Sequence, residues 1–210
     1  PLSSSAASDV YKRQVADDIL LAKAFCSSQG CYGAEGYIRG FSGYALEVLV
    51  LHFGSFLDFL KKVGTKNVID PAKHFAKEKD ALYHINSAKL QGPLIVVDPT
   101  YKYRNVTAGL GKETYHKFLD VAQAFVKKPS RDFFVKQELD VTELKKIAEK
   151  KKATLFVLEI ESNRQEGDIV GTKCLKFLDF FSEELQRQNQ HVLHKEFVYS
   201  GKGHVAHGYV

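Results

Sequence analysis

The first clear pattern along the chain is helical. In residues 15–25, VADDILLAKAF, Val15, Ile19 and Ala22 share a face and Leu21 meets Phe25 four residues on. Asp17 and Asp18 fall in the first turn, where carboxylates favour the helix dipole, and Gln29-Gly30 ends the segment. A glycine-rich bend follows, CYGAEGYIRGFSGY, with Gly33, Gly36, Gly40 and Gly43 within eleven residues. That density calls for positive φ angles or a close approach of backbone to something. Ser42 then reads as the N-cap of a second helix over 43–60. Leu46, Leu49, Val50, Phe53, Leu57 and Leu60 form one stripe, while Val48, Leu51, Phe56 and Phe59 make the opposite face apolar too, as in a central buried helix. Lys61-Lys62-Val63-Gly64 stops it. Residues 65–92 are polar and weakly patterned. A short strand at 93–97 ends in the turn-forming Asp98-Pro99, followed by Thr100-Tyr101-Lys102-Tyr103-Arg104-Asn105. An amphipathic helix over about 112–128 turns Tyr115, Phe118, Leu119, Ala122, Phe125 and Val126 inward and closes at Pro129.

Beyond Pro129 the character changes. A basic helix at 142–152 (five Lys against two Glu) precedes a strand at 153–161, a helix at about 172–188 and a strand at 191–199. This order predicts an α+β fold: a helical bundle followed by a partial ferredoxin/RRM-like β-α-β domain. The expected division is a leader at 1–14, a helical domain at 15–129 and a truncated RRM-like domain at 130–210. The leader, PLSSSAASDVYKRQ, is Ser/Ala-rich and reads as non-native or disordered adapter sequence; it lacks the apolar core of a secretory signal. The chain starts with Pro, contains no Met, and breaks off in the alternating GHVAHGYV, so it is expected to be a piece truncated at both ends.

Composition narrows the class. With 44% apolar and 26% charged residues, disordered and collagen-like chains are excluded. The richest apolar stretch, 44–60, carries Glu47, His52 and Asp58, which no lipid-facing span tolerates cheaply. A net charge of +5 suits a polyanionic partner. Cys26, Cys31 and Cys174 are odd in number and irregularly spaced, so a disulfide scaffold is not expected and a reducing cytoplasm is.

Three constellations carry candidate chemistry. The bend GAEGYIRGFSGY opens a helix whose free N–H groups, with Arg39 and tyrosines nearby, suit an anion; a tight interhelical turn accounts for the glycines equally well. Lys23 either holds a phosphate group as a point charge or snorkels over apolar surface. Tyr32 either donates its hydroxyl to the same anion or packs. Arg104, after the Asp98-Pro99 turn, either reads a base edge with its planar fork or forms a structural ion pair with Asp98. Glu159-x-Glu161 superficially mimics the carboxylate pair of two-metal chemistry, but alternation leaves both on one face of a strand, which is also what a solvated face looks like. There is no P-loop and no hydrolase nucleophile elbow, and the cysteines with His194, His204 and His207 lack zinc spacing.

Taken together, YGAEGYIRGFSGYALEVLVLHFGSFLDFLKK, VID, VVDPTYKYRNVTAGL and FVKKPSRDFF resemble the archaeal-type (class I) CCA-adding enzyme, the CTP/ATP:tRNA nucleotidyltransferase. The resemblance runs continuously from about Asp17 to Phe134 and more loosely through the β-α-β segment. It implies the neck and most of the body of an enzyme that adds C, C and A to the tRNA 3′ end with release of pyrophosphate. The catalytic head, with its Mg²⁺-binding carboxylates, would be missing, so no catalytic or metal residue is expected here and the fragment alone is expected to be inactive. By resemblance Lys23 and Tyr32 are triphosphate ligands and Arg104 reads the incoming base. Arg39, Ser42, Tyr44, Asn105, Lys145 and Lys146 are further candidate nucleotide or tRNA contacts. Gly36-Tyr37 and Tyr101/Tyr103 around Lys102 depart from the family pattern. The implied partners are the tRNA acceptor stem and 3′ end with CTP and ATP, with no membrane, and homodimerisation through missing or truncated regions is left open. Two rival readings are a stand-alone RNA-binding module and the helical domain of a poly(A)- or oligoadenylate-type polymerase; the Arg104-Asn105 pair after Asp98-Pro99 speaks against the latter.

Overall fold

A computed structural model describes the backbone of residues 4–210 and the side chains from Lys12 on; residues 1–3 and the side chains of 4–11, part of the expected leader, lie outside the described residues. The fold is mixed α+β, with helices dominating the first half. The chain divides into two units, one comprising residues up to 137 without 35–37, the other comprising 35–37 and 138–210.

In the first unit, α1 (Ser4–Ser28) is longer than the apolar spacing at 15–25 indicates, because no Gly or Pro interrupts the preceding Ser/Ala-rich residues. The single helix expected over 43–60 is two helices, α2 (Gly43–Phe53) and α3 (Phe56–Lys62), and the chain bends by 91° between α2 and the segment Phe56–Thr65 that α3 begins. Gly54 makes the corner with φ +90°, its N–H donating to the Val50 carbonyl at 2.8 Å, and Ser55 caps α3 by accepting from the Asp58 N–H at 3.1 Å. The all-round apolar pattern therefore serves two helices, each burying its own face. Among the described residues no single helix is long and apolar enough to cross a membrane.

Phe25 of α1, fully buried, is the hub of this core. Phe56, Phe118, Phe125, Phe133 and Phe134 surround it with ring centroids 5.5–6.5 Å away. Phe118 and Phe125 come from α5 (Lys112–Lys127), which the spacing outlined closely. A small sheet flanks the helices: β1 (Val68–Ile69) lies parallel to β2 (Ile95–Asp98), which pairs antiparallel with β3 (Tyr101–Asn105). β3 gave no strand signal because all its residues but Asn105 are exposed, so no alternation marks it. The stretch 65–92, expected to be unpatterned, holds β1 and α4 (Ala81–His84); its Ala81 and Ile85 pack with Ile95 and Val97 in a separate small cluster.

The second unit contains α6 (Val141–Lys151), β4 (Val157–Glu161), α7 (Asp168–Arg187), β5 (Glu196–Val198) and β6 (Val205–Tyr209). The sheet order is β4-β6-β5 with both pairings antiparallel. β4 and β5 thus run parallel with β6 inserted between them, the split β-α-β arrangement. α7 buries Val170, Cys174 and Leu178 against Ile160 of β4 and Ala206 of β6. Both expected strands are shorter than their apolar runs, starting at Val157 rather than 153 and shrinking to Glu196–Val198 from 191–199. The closing GHVAHGYV supplies the central strand. Residues 35–37 group with this unit, where the Gly36 N–H donates to Asp168 Oδ1 at 2.6 Å and the Tyr37 ring meets Tyr199 edge-on.

Candidate functional site

The glycine-rich bend is closed by its own backbone. The Cys31 N–H donates to the Cys26 carbonyl (2.7 Å), Gly33 to Phe41 (2.8 Å), Gly40 to Gly33 (2.7 Å) and Phe41 to Cys31 (2.8 Å). A Cβ on Gly40 would lie 2.3 Å from the Cys31 carbonyl oxygen, so only glycine lets these strands of the bend close. Closure sends Phe41 into the core and leaves Ser42 to cap α2, its Oγ accepting from the Ala45 N–H at 3.1 Å.

Two polar side chains meet over the first residue of α2. A Cβ built on Gly43 would lie 3.1 Å from Tyr32 Oη, 3.6 Å from Lys23 Cε and 3.8 Å from Lys23 Nζ. An ammonium, a phenol and a helix N-terminus therefore share one small volume, the elements of an anion site. Lys23 Nζ donates to Glu47 Oε1 at 2.6 Å, and this bond raises the lysine's pKa and keeps it cationic. Its side chain remains 30% exposed, so the head is reachable. From sequence Glu47 was read only as a charge that a lipid-facing span would not tolerate, not as a site residue; its signal is a lone carboxylate in the first turns of an otherwise apolar helix.

A second cluster is organised by Asp98 at the end of β2, whose side chain is fully buried. Oδ1 accepts from the Thr100 N–H and Oγ1 (both 2.8 Å) and from Tyr44 Oη (2.9 Å); Oδ2 accepts from Nε of Arg104 and pairs with its Nη2. Burial opposes ionisation, but the bonds from Thr100, Tyr44 and Arg104 outweigh it and bring the Asp98 pKa down to about 2. Arg104 stays charged, its bond to Asp98 raising its pKa further. Its guanidinium lies 5.4 Å from the Tyr44 ring centroid and the side chain is 55% exposed, so a fixed, desolvated carboxylate aims a fork whose outer edge faces solvent. Both alternatives raised for Arg104 are compatible with this geometry, since the ion pair leaves the guanidinium accessible.

Tyr44, in the first turn of α2, joins the two clusters, so Lys23, Tyr32, Ser42, Tyr44 and Arg104 gather around one helix start. Four other candidates stand apart in function or place. Asn105 is buried, its amide donating to the Lys89 carbonyl (2.9 Å) while its oxygen accepts from the Val96 and Thr107 N–H groups (3.0 Å each) and Thr107 Oγ1 (2.8 Å); it holds β2, β3 and the following turn together. Arg39 is exposed with φ +53°, and its carbonyl accepts from the Gly111 N–H at 2.8 Å, fastening the bend to the start of α5. Lys145 and Lys146 are exposed on α6 of the second unit. Among the described residues no group of three or more His, Cys, Asp or Glu comes together. Glu159 and Glu161 lie on the exposed side of β4, Glu159 3.8 Å from His207 Nε2, and do not fit a metal-bridging pair.

A family described as "tRNA nucleotidyltransferase, second domain" matches residues 17–135. The chain is 31% identical over 192 residues to the CCA-adding enzyme of Methanocaldococcus jannaschii (88% of this chain, 40% of the relative). It is 31% identical over 182 residues to that of Pyrococcus abyssi (84% and 40%) and 38% identical over 127 residues to that of Thermococcus gammatolerans (58% and 28%). The chain thus spans at most about two fifths of the length of these relatives. Its bend, its α2 start and its Asp98–Arg104 pair all fall within the matched residues, and the chain belongs to the family of tRNA nucleotidyltransferase second domains.

Proposed function

We propose that this chain is the part of a CCA-adding tRNA nucleotidyltransferase that holds the nucleoside triphosphate, helps read its base and grips the acceptor end of tRNA. The observation that carries the reading is the convergence of Lys23 Nζ and Tyr32 Oη over Gly43 at the N-terminus of α2. Phosphoryl transfer is catalysed chiefly by in-line positioning and neutralised charge. An ammonium, a phenolic hydroxyl and helix N–H groups on the β- and γ-phosphates of CTP or ATP would hold the departing diphosphate in line. Arg104, pinned by Asp98, then offers its free edge to the acceptor groups of the incoming base; the planar fork suits two parallel hydrogen bonds. Mg²⁺, which such chemistry employs, finds no fitting donor set among the described residues. The exposed lysines of α6 supply charge for the acceptor-stem phosphates, recognised by shape and backbone rather than sequence. The reading places the protein in the cytoplasm, in keeping with its three free, buried cysteines.

Calorimetric titration of the 210-residue chain with CTP and with inorganic triphosphate tests the cradle. Lys23→Ala and Tyr32→Phe should each weaken both ligands by about tenfold, the loss of one charge-assisted or one neutral hydrogen bond in a partly shielded site. Affinities equal to the unsubstituted chain for both variants would overturn the reading, and would leave the stand-alone RNA-binding module as the better one.

A further inference from the structure

The strand that carries Arg104 also displays two aromatic rings that the core does not use. Tyr101 and Tyr103 are 57% and 46% exposed, and among the described residues neither hydroxyl makes a hydrogen bond. Their ring centroids lie 5.6 Å apart at 73°, an edge-to-face pair that fixes both rings without burying them. Lys102 Nζ sits 5.2 Å from the Tyr103 centroid, and Arg104 follows directly. β3 is the edge strand of its sheet, so this Tyr-Lys-Tyr-Arg run lies open along one side.

We propose that Tyr101 and Tyr103 form a stacking ledge for an unpaired base at the 3′ end of RNA, with Lys102 neutralising a phosphate beside it. The proposal deepens the reading given above and rests on it: the cradle holds the incoming nucleotide, and the ledge holds the strand that receives it. Charge complementarity selects the occupant. An aromatic face interleaved with two cations, with the neighbouring carboxylate Asp98 already buried and spent on Arg104, matches a ligand that carries π-faces and anionic linkages together. Tyr103 already bears an ammonium over its ring, which leaves Tyr101, the more exposed of the two, as the principal platform.

The test uses an RNA hairpin mimicking an acceptor stem, with an unpaired 3′ tail ending in 2-aminopurine, whose fluorescence falls when it stacks. Binding of the 210-residue chain should quench the probe. The Tyr101→Ala/Tyr103→Ala pair should abolish the quench and weaken binding by about 5- to 150-fold per stacked base, whereas Tyr101→Phe/Tyr103→Phe should preserve both. Circular dichroism and thermal melting check that each variant is folded, as expected for exposed side chains. If the unsubstituted chain binds the hairpin and the alanine pair binds and quenches equally, the ledge is wrong while the tRNA reading stands. If the unsubstituted chain does not bind the hairpin, the tRNA reading fails and the ledge with it.

Discussion

Tyr44 Oη donates to Asp98 Oδ1 at 2.9 Å, joining the first turn of α2 to the last residue of β2. The bond links two segments more than fifty residues apart in sequence. Because Asp98 also takes the guanidinium of Arg104, the same helix start that receives Lys23 and Tyr32 positions the arginine. On the function proposed above, a group held at the α2 N-terminus and a group read by Arg104 would be placed in register by one buried carboxylate.

Gly43 is the sharpest probe of the cradle. Alanine is a good helix former, so Gly43→Ala should leave the melting temperature unchanged or raise it, by up to about 1 kcal/mol in stability. Its Cβ would occupy the volume between Tyr32 Oη and Lys23 Nζ, so affinity for inorganic triphosphate should fall at least about fivefold. Unchanged affinity would place the anion elsewhere.

The Asp98 cluster should leave a signature in the pH dependence of stability. Its folded-state pKa of about 2 lies below the unfolded value of about 3.9, so its stabilising contribution is complete above about 3.9 and is lost as pH falls through about 2. Asp98→Asn should therefore lower stability at neutral pH, and the gap to the unsubstituted chain should close between about pH 4 and pH 2. Denaturant melts across that range measure it; a gap that stays constant contradicts an ionised, hydrogen-bonded Asp98.

Arg104→Lys keeps the charge and loses the planar fork. In a full-length enzyme carrying this segment it should degrade discrimination between CTP and ATP more than it weakens tRNA binding. Incorporation assays with each triphosphate, alongside tRNA titrations, separate the two; equal losses would assign Arg104 to general phosphate binding.

Gly40→Ala should be structural in its effect. The new Cβ would meet the backbone carbonyl of Cys31 at 2.3 Å, an obstacle that no side-chain rotation relieves. Destabilisation of about 1–3 kcal/mol, and a melting temperature lower by several degrees, is expected. A variant as stable as the parent would mean that the bend can close another way.

How far the sequence could be read varied with how much of the signal was local. The 3.6-residue spacing that ends at Pro129 outlined α5 to within a residue, and the basic run outlined α6 equally well, because amphipathic periodicity and a terminator are written in consecutive residues. The helix over 43–60 failed at Gly54-Ser55, where a C-terminal glycine and an N-cap serine mark the break, because the apolar pattern continuous on every side outweighed those two local cues. β3 and the partners of Asn105 were illegible for the opposite reason: exposed strands have no apolar alternation, and a buried amide's bonds depend on distant backbone.

The residue types able to meet an anion or a base edge, and the helices and strands with a strong local pattern, were determined by the chain's own sequence, through periodicity, capping residues and glycine spacing. Which of those side chains meet was decided only by the tertiary structure. Lys23 reaches Gly43, Glu47 turns to Lys23, Asp98 is shut from solvent between Tyr44 and Arg104, and the closing strand slots between β4 and β5. Each of these needs segments far apart in sequence to pack together, and that packing is set by the shape of the whole core rather than by the pattern of any one stretch.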